Sequence, residues 1–195
     1  MKLYNCQYMY NQAKIFYLTV EEYLQLELES LVHYEYIAGQ VYAIVTNTEN
    51  RKIISGNILA RLRGHLLGKS CRVFSSDMKV KIEALDVFYH PDISVTSDPS
   101  DREKYFKTAP CLIVEIISPE TERIHRNEKL MNYQQLKSLQ EYVLVYQSEI
   151  KVDIYRKYNH KTWFLEQFLT TDTMKLSSVG LEMAIAEIYE DVEFE

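Results

Sequence analysis

The segment Cys111-Leu-Ile-Val-Glu-Ile-Ile117 constrains this chain more than any other. A short run this apolar and this rich in β-branched residues reads as a strand buried on both faces of a sheet. Glu115 interrupts it, and a charged carboxylate left unpaired there costs several kcal/mol. It must pair with an Arg or Lys, take up a proton or bind a metal. Asp92 suggests the third choice. It follows Pro91 and precedes Ile93-Ser94-Val95, which places it on the preceding strand. If the two strands are neighbours, two carboxylates converge and repel unless a divalent cation joins them. Oxygen ligands suit magnesium or manganese.

The surrounding pattern supplies the rest of the fold. Thr19 with Glu22 forms a capping-box signature that starts a helix through about Ser30. His33 to Ile37 and Gln40 to Ile44 read as strands joined tightly at Ala38-Gly39. Ile53, Ile54, Ile58, Leu59, Leu62, Leu66 and Leu67 recur at helical spacing, predicting a helix over 50–67 stopped by Gly68. Met78, Val80 and Ile82 alternate with Lys79, Lys81 and Glu83, as in a strand with one wet face. Phe88 to Val95 is extended, with Pro91 at an edge or bulge, and Ser97 to Thr108 is a loop. Thr121 caps a helix to about Lys137. Tyr142 to Tyr146, Val152, Ile154 and Trp163 to Phe168 add strands, and a short helix lies near 184–189. Alternating helices and strands predict an α/β fold, with helices 50–67 and 121–137 packed on one mixed β-sheet.

A length of 195 residues suits one domain with its own core. With no linker-like stretch, the expectation is an amino-terminal extension over 1–16 and a single domain over 17–195. No apolar stretch reaches the roughly 20 residues that span a bilayer, and the amino terminus lacks a secretory h-region. These features predict a cytoplasmic protein without membrane contact. Cys6, Cys71 and Cys111 form no CxxC pair, and the histidines show no zinc-ligand spacing. The net charge of −6 argues against strong nonspecific binding of nucleic acid, which rests on phosphate neutralisation. Any such binding needs a local basic patch.

Several signatures together resemble a known group. They are HYEYIAGQVY at 33–42, NRKIISGNILARLRGHL at 50–66, SSDMKVKI at 75–82, PD at 91–92 and PCLIVEIISPET at 110–121, followed by EKLMNYQQLKSLQEYVLV at 128–145 and GLEMAIAEIYEDV at 180–192. In this order they resemble the Uma-type small bacterial endonucleases of the PD-(D/E)XK superfamily. The resemblance implies a restriction-endonuclease-like core, a mixed sheet flanked by helices with additional strands. It also implies that Asp92, Glu115 and the Ile116 backbone carbonyl hold Mg2+ or Mn2+, with Glu35 close to the metal. The general motif has a lysine two residues after the glutamate, where this chain has Ile117. Lys129 on the following helix is the candidate for a relocated lysine, sharing a helix face with His125 and Tyr133. His125 stands where an acidic residue is expected.

The implied activity is metal-assisted hydrolysis of nucleic acid, DNA first, with Asp92, Glu115, Lys129 and Glu35 as the catalytic set. Lys79, Lys81, Arg123 and Arg126 are the candidate phosphate contacts, and a homodimer suits cutting of two strands. Two other readings stand beside it. One is a catalytically silent binding or scaffold protein with the nuclease fold, and the other a metal-dependent hydrolase of a different phosphate substrate.

Overall fold

The computed structural model describes residues 17–44, 48–159 and 162–194. The extension over 1–16, with Cys6, lies outside them. The predicted capping box is present: the Thr19 side chain accepts from the Glu22 N–H, Glu22 accepts from Thr19 N–H, and helix α1 (Val20–Glu29) follows. Strands β1 (Tyr34–Ile37) and β2 (Gln40–Ala43) form an antiparallel hairpin. Its two turn residues have positive φ, 47° at Ala38 and 94° at Gly39, the geometry of a two-residue hairpin turn. A Cβ on Gly39 would also lie 2.7 Å from the Tyr17 ring. Gly39→Ala should therefore cost about 1–2 kcal/mol, read as a lower urea midpoint. An unchanged midpoint would show that the turn relaxes.

Helix α2 (Glu49–Leu66) starts at the Thr48 cap and buries Ile54, Ile58, Leu62 and Leu66. The next strands are β3 (Arg72–Ser75), which the sequence did not reveal, β4 (Lys79–Ile82), β5 (Val87–Tyr89) and β6 (Ile93–Thr96). The loop over 97–108 holds a two-residue strand, β7 (Phe106–Lys107). The central strand β8 (Pro110–Ile117) is buried throughout. The strands β9 (Glu141–Tyr146), β10 (Lys151–Lys157), β11 (Trp163–Leu169), β12 (Thr173–Leu176) and β13 (Leu181–Ala184) lead to the short helix α4 (Ile185–Ile188).

The architecture is mixed α/β, as expected, but the strands form three sheets rather than one. A five-stranded sheet has the order β2-β1-β5-β4-β7, a six-stranded sheet β11-β10-β9-β8-β6-β3, and β12-β13 pair by themselves. The reason lies at His90-Pro91-Asp92. Proline cannot donate to a ladder, and there the chain leaves the first sheet after β5 and enters the second at β6. A second correction concerns the helix expected over 121–137. It begins with a π-helical turn (Ile124–Lys129) and continues as α3 (Leu130–Tyr133), ending four residues early. Lys79 is a third departure, since it is buried rather than on a wet face.

Alternation along β8 divides the molecule into layers. Leu112, Val114 and Ile116 join the core under α2, with Ile93, Val95 and the α4 residues Ile185 and Ile188. Ile113 and Ile117 face the opposite way, into a core shared by Tyr133 and Tyr142 and by Val80, Ile82 and Tyr89 of the five-stranded sheet. Tyr23, Tyr36 and Phe88 pack α1 on the far side of that sheet. Glu115, between Ile113 and Ile117, thus points into the space between the sheets.

Candidate functional site

Strands β6 and β8 are antiparallel neighbours with Ile93 opposite Val114. Continuing that register by one residue sets Asp92 across from Glu115, at the seam between the two large sheets. Asp92 is almost completely buried. Its Oδ2 accepts from the Ile116 backbone N–H at 2.7 Å. Arg51, from the first turn of α2, grips it from the other side, Nε to Oδ1 at 2.8 Å and Nη2 to Oδ2 at 2.9 Å. Burial pushes the Asp92 carboxyl up to about 6, Arg51 opposes that rise and Glu115 adds to it. Burial disfavours the charged form and a like charge nearby does the same.

Glu115 has no exposed surface. Its Oε1 accepts from Lys129 Nζ at 3.2 Å and from the Tyr133 hydroxyl at 3.0 Å. Its Oε2 is buried without a hydrogen-bond partner, 3.8 Å from His125 Nδ1, which is likewise unsatisfied. Lys129 also pairs with Glu35 Oε1 at 2.6 Å and lies 5.0 Å from the centre of the Tyr89 ring. Burial pulls the Lys129 ammonium down, but Glu115 and Glu35 overcome it and hold the group above its ordinary range. The structure therefore gathers Asp92, Glu115, Lys129 and Glu35 at one place, supplied by the seam, β8, the π-helical turn and β1. The face shared by His125, Lys129 and Tyr133 is the face that meets Glu115.

The orphaned Oε2 of Glu115 is the observation that tests the site for a cation. A buried acceptor left without a donor costs about 1–3 kcal/mol or more, and a divalent ion with oxygen ligands would remove that cost. The donor set fits magnesium or manganese. Arg51 pairs with both Asp92 oxygens, so an ion there would compete with Arg51 for them.

Two adjoining cavities open on this seam. One of about 350 Å³ is lined by Arg51, Lys52, Ser55, Ser76, His90 and Asp92 among others. The other, about 290 Å³, is lined by Glu35, Tyr42, Arg51, His125 and Lys129 among others. Arg51 and His90 line both, so together they form one groove past Asp92 and Lys129.

The four basic residues singled out in the sequence are not gathered into one patch. Lys79 is buried against Glu27, Nζ to Oε2 at 3.1 Å. Lys81 lies over the Phe88 and Phe106 rings. Arg126 is held by Glu122, Asp153 and Tyr146. Only Arg123 of the four is exposed. Sequence reasoning missed Arg51 and Lys52 as groove residues. One signal was available: a cation in the first turn of a helix opposes the helix dipole and needs an anionic partner.

Burial, reinforced by the Lys129 and Arg51 charges, pushes His125 down to about 2 from its usual 6.5. Its folded value is depressed, so the unfolded chain takes up the proton first as pH falls below about 6.5. The native state then loses stability, by about 2 kcal/mol at pH 5. His125→Gln should flatten the fall in urea midpoint between pH 7.5 and 5. An equally steep fall in the variant would show that His125 charges within the fold.

Comparison with known proteins follows the same lines. Residues 20–186 match the model of a family described as "Uma2: Putative restriction endonuclease". The uncharacterized protein slr1290 of Synechocystis is 36% identical over 178 residues, covering 91% of this chain and 94% of its own length. A second uncharacterized Synechocystis protein, sll1609, is 28% identical over 155 residues, 78% of this chain and 88% of its own. Among solved structures, the crystal structure of "a putative nuclease belonging to DUF820" from Anabaena variabilis superposes with a TM-score of 0.73 at 20% identity. It covers 89% of this chain and 98% of that one. That likeness is one of fold.

Proposed function

Since the chain belongs to the Uma2 family, whose model it matches over most of its length, we propose that it hydrolyses phosphodiester bonds in nucleic acid, DNA in the first place, with Mg2+ or Mn2+ at Asp92 and Glu115. The observation that carries this reading is the orphaned, fully buried Glu115 Oε2 on the strand next to Asp92, which itself lines a groove. Asp92 and Glu115 would supply carboxylate oxygens, with the Ile116 carbonyl beside them on β8. When bound, the ion supplies Lewis-acid polarisation of a phosphate oxygen and a more acidic water.

The chain's own residues do the rest. Lys129, held by Glu115 and Glu35, is rigid enough to orient an attacking water or to neutralise charge developing on the phosphate. Glu35 fixes that ammonium and keeps it from filling the place of the ion. Arg51 and Lys52 line the groove and would serve there as phosphate contacts. Arg123 is exposed beside the π-helical turn, whereas Lys79, Lys81 and Arg126 are engaged elsewhere. Cutting both strands of a duplex would take two copies of the site, which sedimentation velocity would reveal as a dimer. No helix among the described residues is long and apolar enough to cross a membrane.

One observation favours a second reading, a silent binding protein. Both Asp92 oxygens accept from Arg51, so Asp92 already has a protein partner. Incubation with plasmid, single-stranded DNA, RNA and nucleotides, with Mg2+ or Mn2+ and with chelator, separates the readings. Metal-dependent cleavage of a polynucleotide supports the proposal. Turnover of nucleotides alone points to the third reading, and binding without turnover to the silent one.

A further inference from the structure

We propose that Glu27, His33 and His90 form a second cation site, distinct from Asp92 and Glu115, that takes a zinc-type divalent ion. One ligand atom from each of the three residues lies within 4.8 Å of the others. Glu27 comes from the last turns of α1, His33 from the approach to β1, and His90 from the corner between the two sheets. The Glu27 and His90 side chains are almost fully buried, and His33 is half exposed at the mouth.

The hydrogen bond of the His90 ring carries the argument. His90 Nδ1 lies 2.9 Å from the Ser76 carbonyl oxygen, which can only accept, so Nδ1 bears the hydrogen. His90 Nε2 then turns a lone pair toward Glu27 Oε2 at 3.1 Å, and it is buried without a hydrogen-bond partner. His33 lies at the mouth, with Nδ1 3.6 Å from the same Glu27 oxygen and Nε2 3.4 Å from the exposed Asp77 Oδ1. The buried His90 lone pair aimed at a carboxylate oxygen is unfavourable unless a cation lies between the two atoms. Outer nitrogens bound to a carbonyl and a carboxylate are how metal-ligating histidines are oriented. Two imidazoles and one carboxylate with a further position open suit zinc better than magnesium.

Lys79 Nζ lies 3.1 Å from Glu27 Oε2, so the incoming ion displaces this ammonium. The competing occupant is a proton on His90, giving an imidazolium instead of a metal complex. A bound ion would tie α1 to the His90-Pro91-Asp92 corner and so brace Asp92. The inference does not depend on the nuclease reading, because the readout is metal uptake and not cleavage.

The test uses the full chain carrying Asp92→Asn, stripped with chelator and titrated with Zn2+ by calorimetry and with Co2+ by visible absorption. One equivalent should bind, with Co2+ bands of a nitrogen-containing, low-coordinate site. Adding Asp77→Asn should weaken binding by about 10–100-fold, the usual effect of losing an orienting partner. Adding His33→Ala should weaken it more. His33 is half exposed, so this variant should fold, which circular dichroism in chelator checks. Failure of the Asp92→Asn protein to bind either ion overturns the proposal and leaves the proton in place. Unchanged affinity in the folded His33→Ala protein overturns it as well.

Discussion

Lys129→Met should lower the stability of the metal-free protein by about 3–5 kcal/mol and slow cleavage by about 10²–10⁴-fold at saturating Mg2+. The stability loss follows from burial. Lys129 is the cation that Glu115 and Glu35 share, and removing one partner of a buried ion pair strands the other charge. Methionine keeps the stem and its apolar packing, so the loss is electrostatic. It should appear as a drop in melting temperature of roughly 10 °C for a chain of this size. Metal should restore part of it, since a bound ion takes over some of the charge on Glu115.

The pH dependence has a definite sign. The folded state holds the Lys129 ammonium above its ordinary value of 10.5. Its stabilisation is therefore complete below about pH 10.5 and is lost only as pH rises through the higher folded value. The gap between native and variant stability should be constant across the neutral range. The cleavage loss is what a positioned acid–base or electrostatic group contributes. Arg123→Met is the control, expected to weaken substrate binding more than single-turnover rate. A Lys129→Met protein that binds metal and cuts at the native rate would remove the relocated lysine from the mechanism.

Much of this site could be read from the sequence because its main parts carry local signals. The carboxylate in CLIVEII has no cheap place to go, and strand alternation sends it to the face opposite Val114. The spacing of His125, Lys129 and Tyr133 assembles around that carboxylate despite the π-helical turn. What the sequence withheld depends on long-range geometry. Arg51 reaches Asp92 across 41 positions, and the break at Pro91 splits one expected sheet into two. Lys79 alternates as a solvent-facing residue should, yet α1 covers it and supplies Glu27 as its partner. The Glu27, His33 and His90 cluster had no motif spacing either, because its members come from three separate elements.

Glu115→Gln should fold nearly as well as the native chain, yet lose the metal response and most of the cleavage. The amide keeps the shape of the side chain, its oxygen can still accept from Tyr133, and Lys129 retains Glu35. What disappears is the charge that would bind the ion. For the native protein, Mg2+ or Mn2+ at 100 times its dissociation constant stabilises by about 2.7 kcal/mol through mass action. At about 2–4 °C per kcal/mol for this chain length, the melting temperature should rise by roughly 5–10 °C. Glu115→Gln should show little of that rise, and so should Asp92→Asn. Metal-assisted charge stabilisation is worth several kcal/mol. Losing it should slow single-turnover cleavage on the order of 10³-fold, at 1.36 kcal/mol per tenfold. Zinc uptake at Glu27, His33 and His90 should survive in Glu115→Gln, which separates the two sites within one protein. If the Mg2+-induced rise is the same in Glu115→Gln as in the native chain, Glu115 is not a ligand. Its buried charge would then be explained by Lys129 and Tyr133 alone.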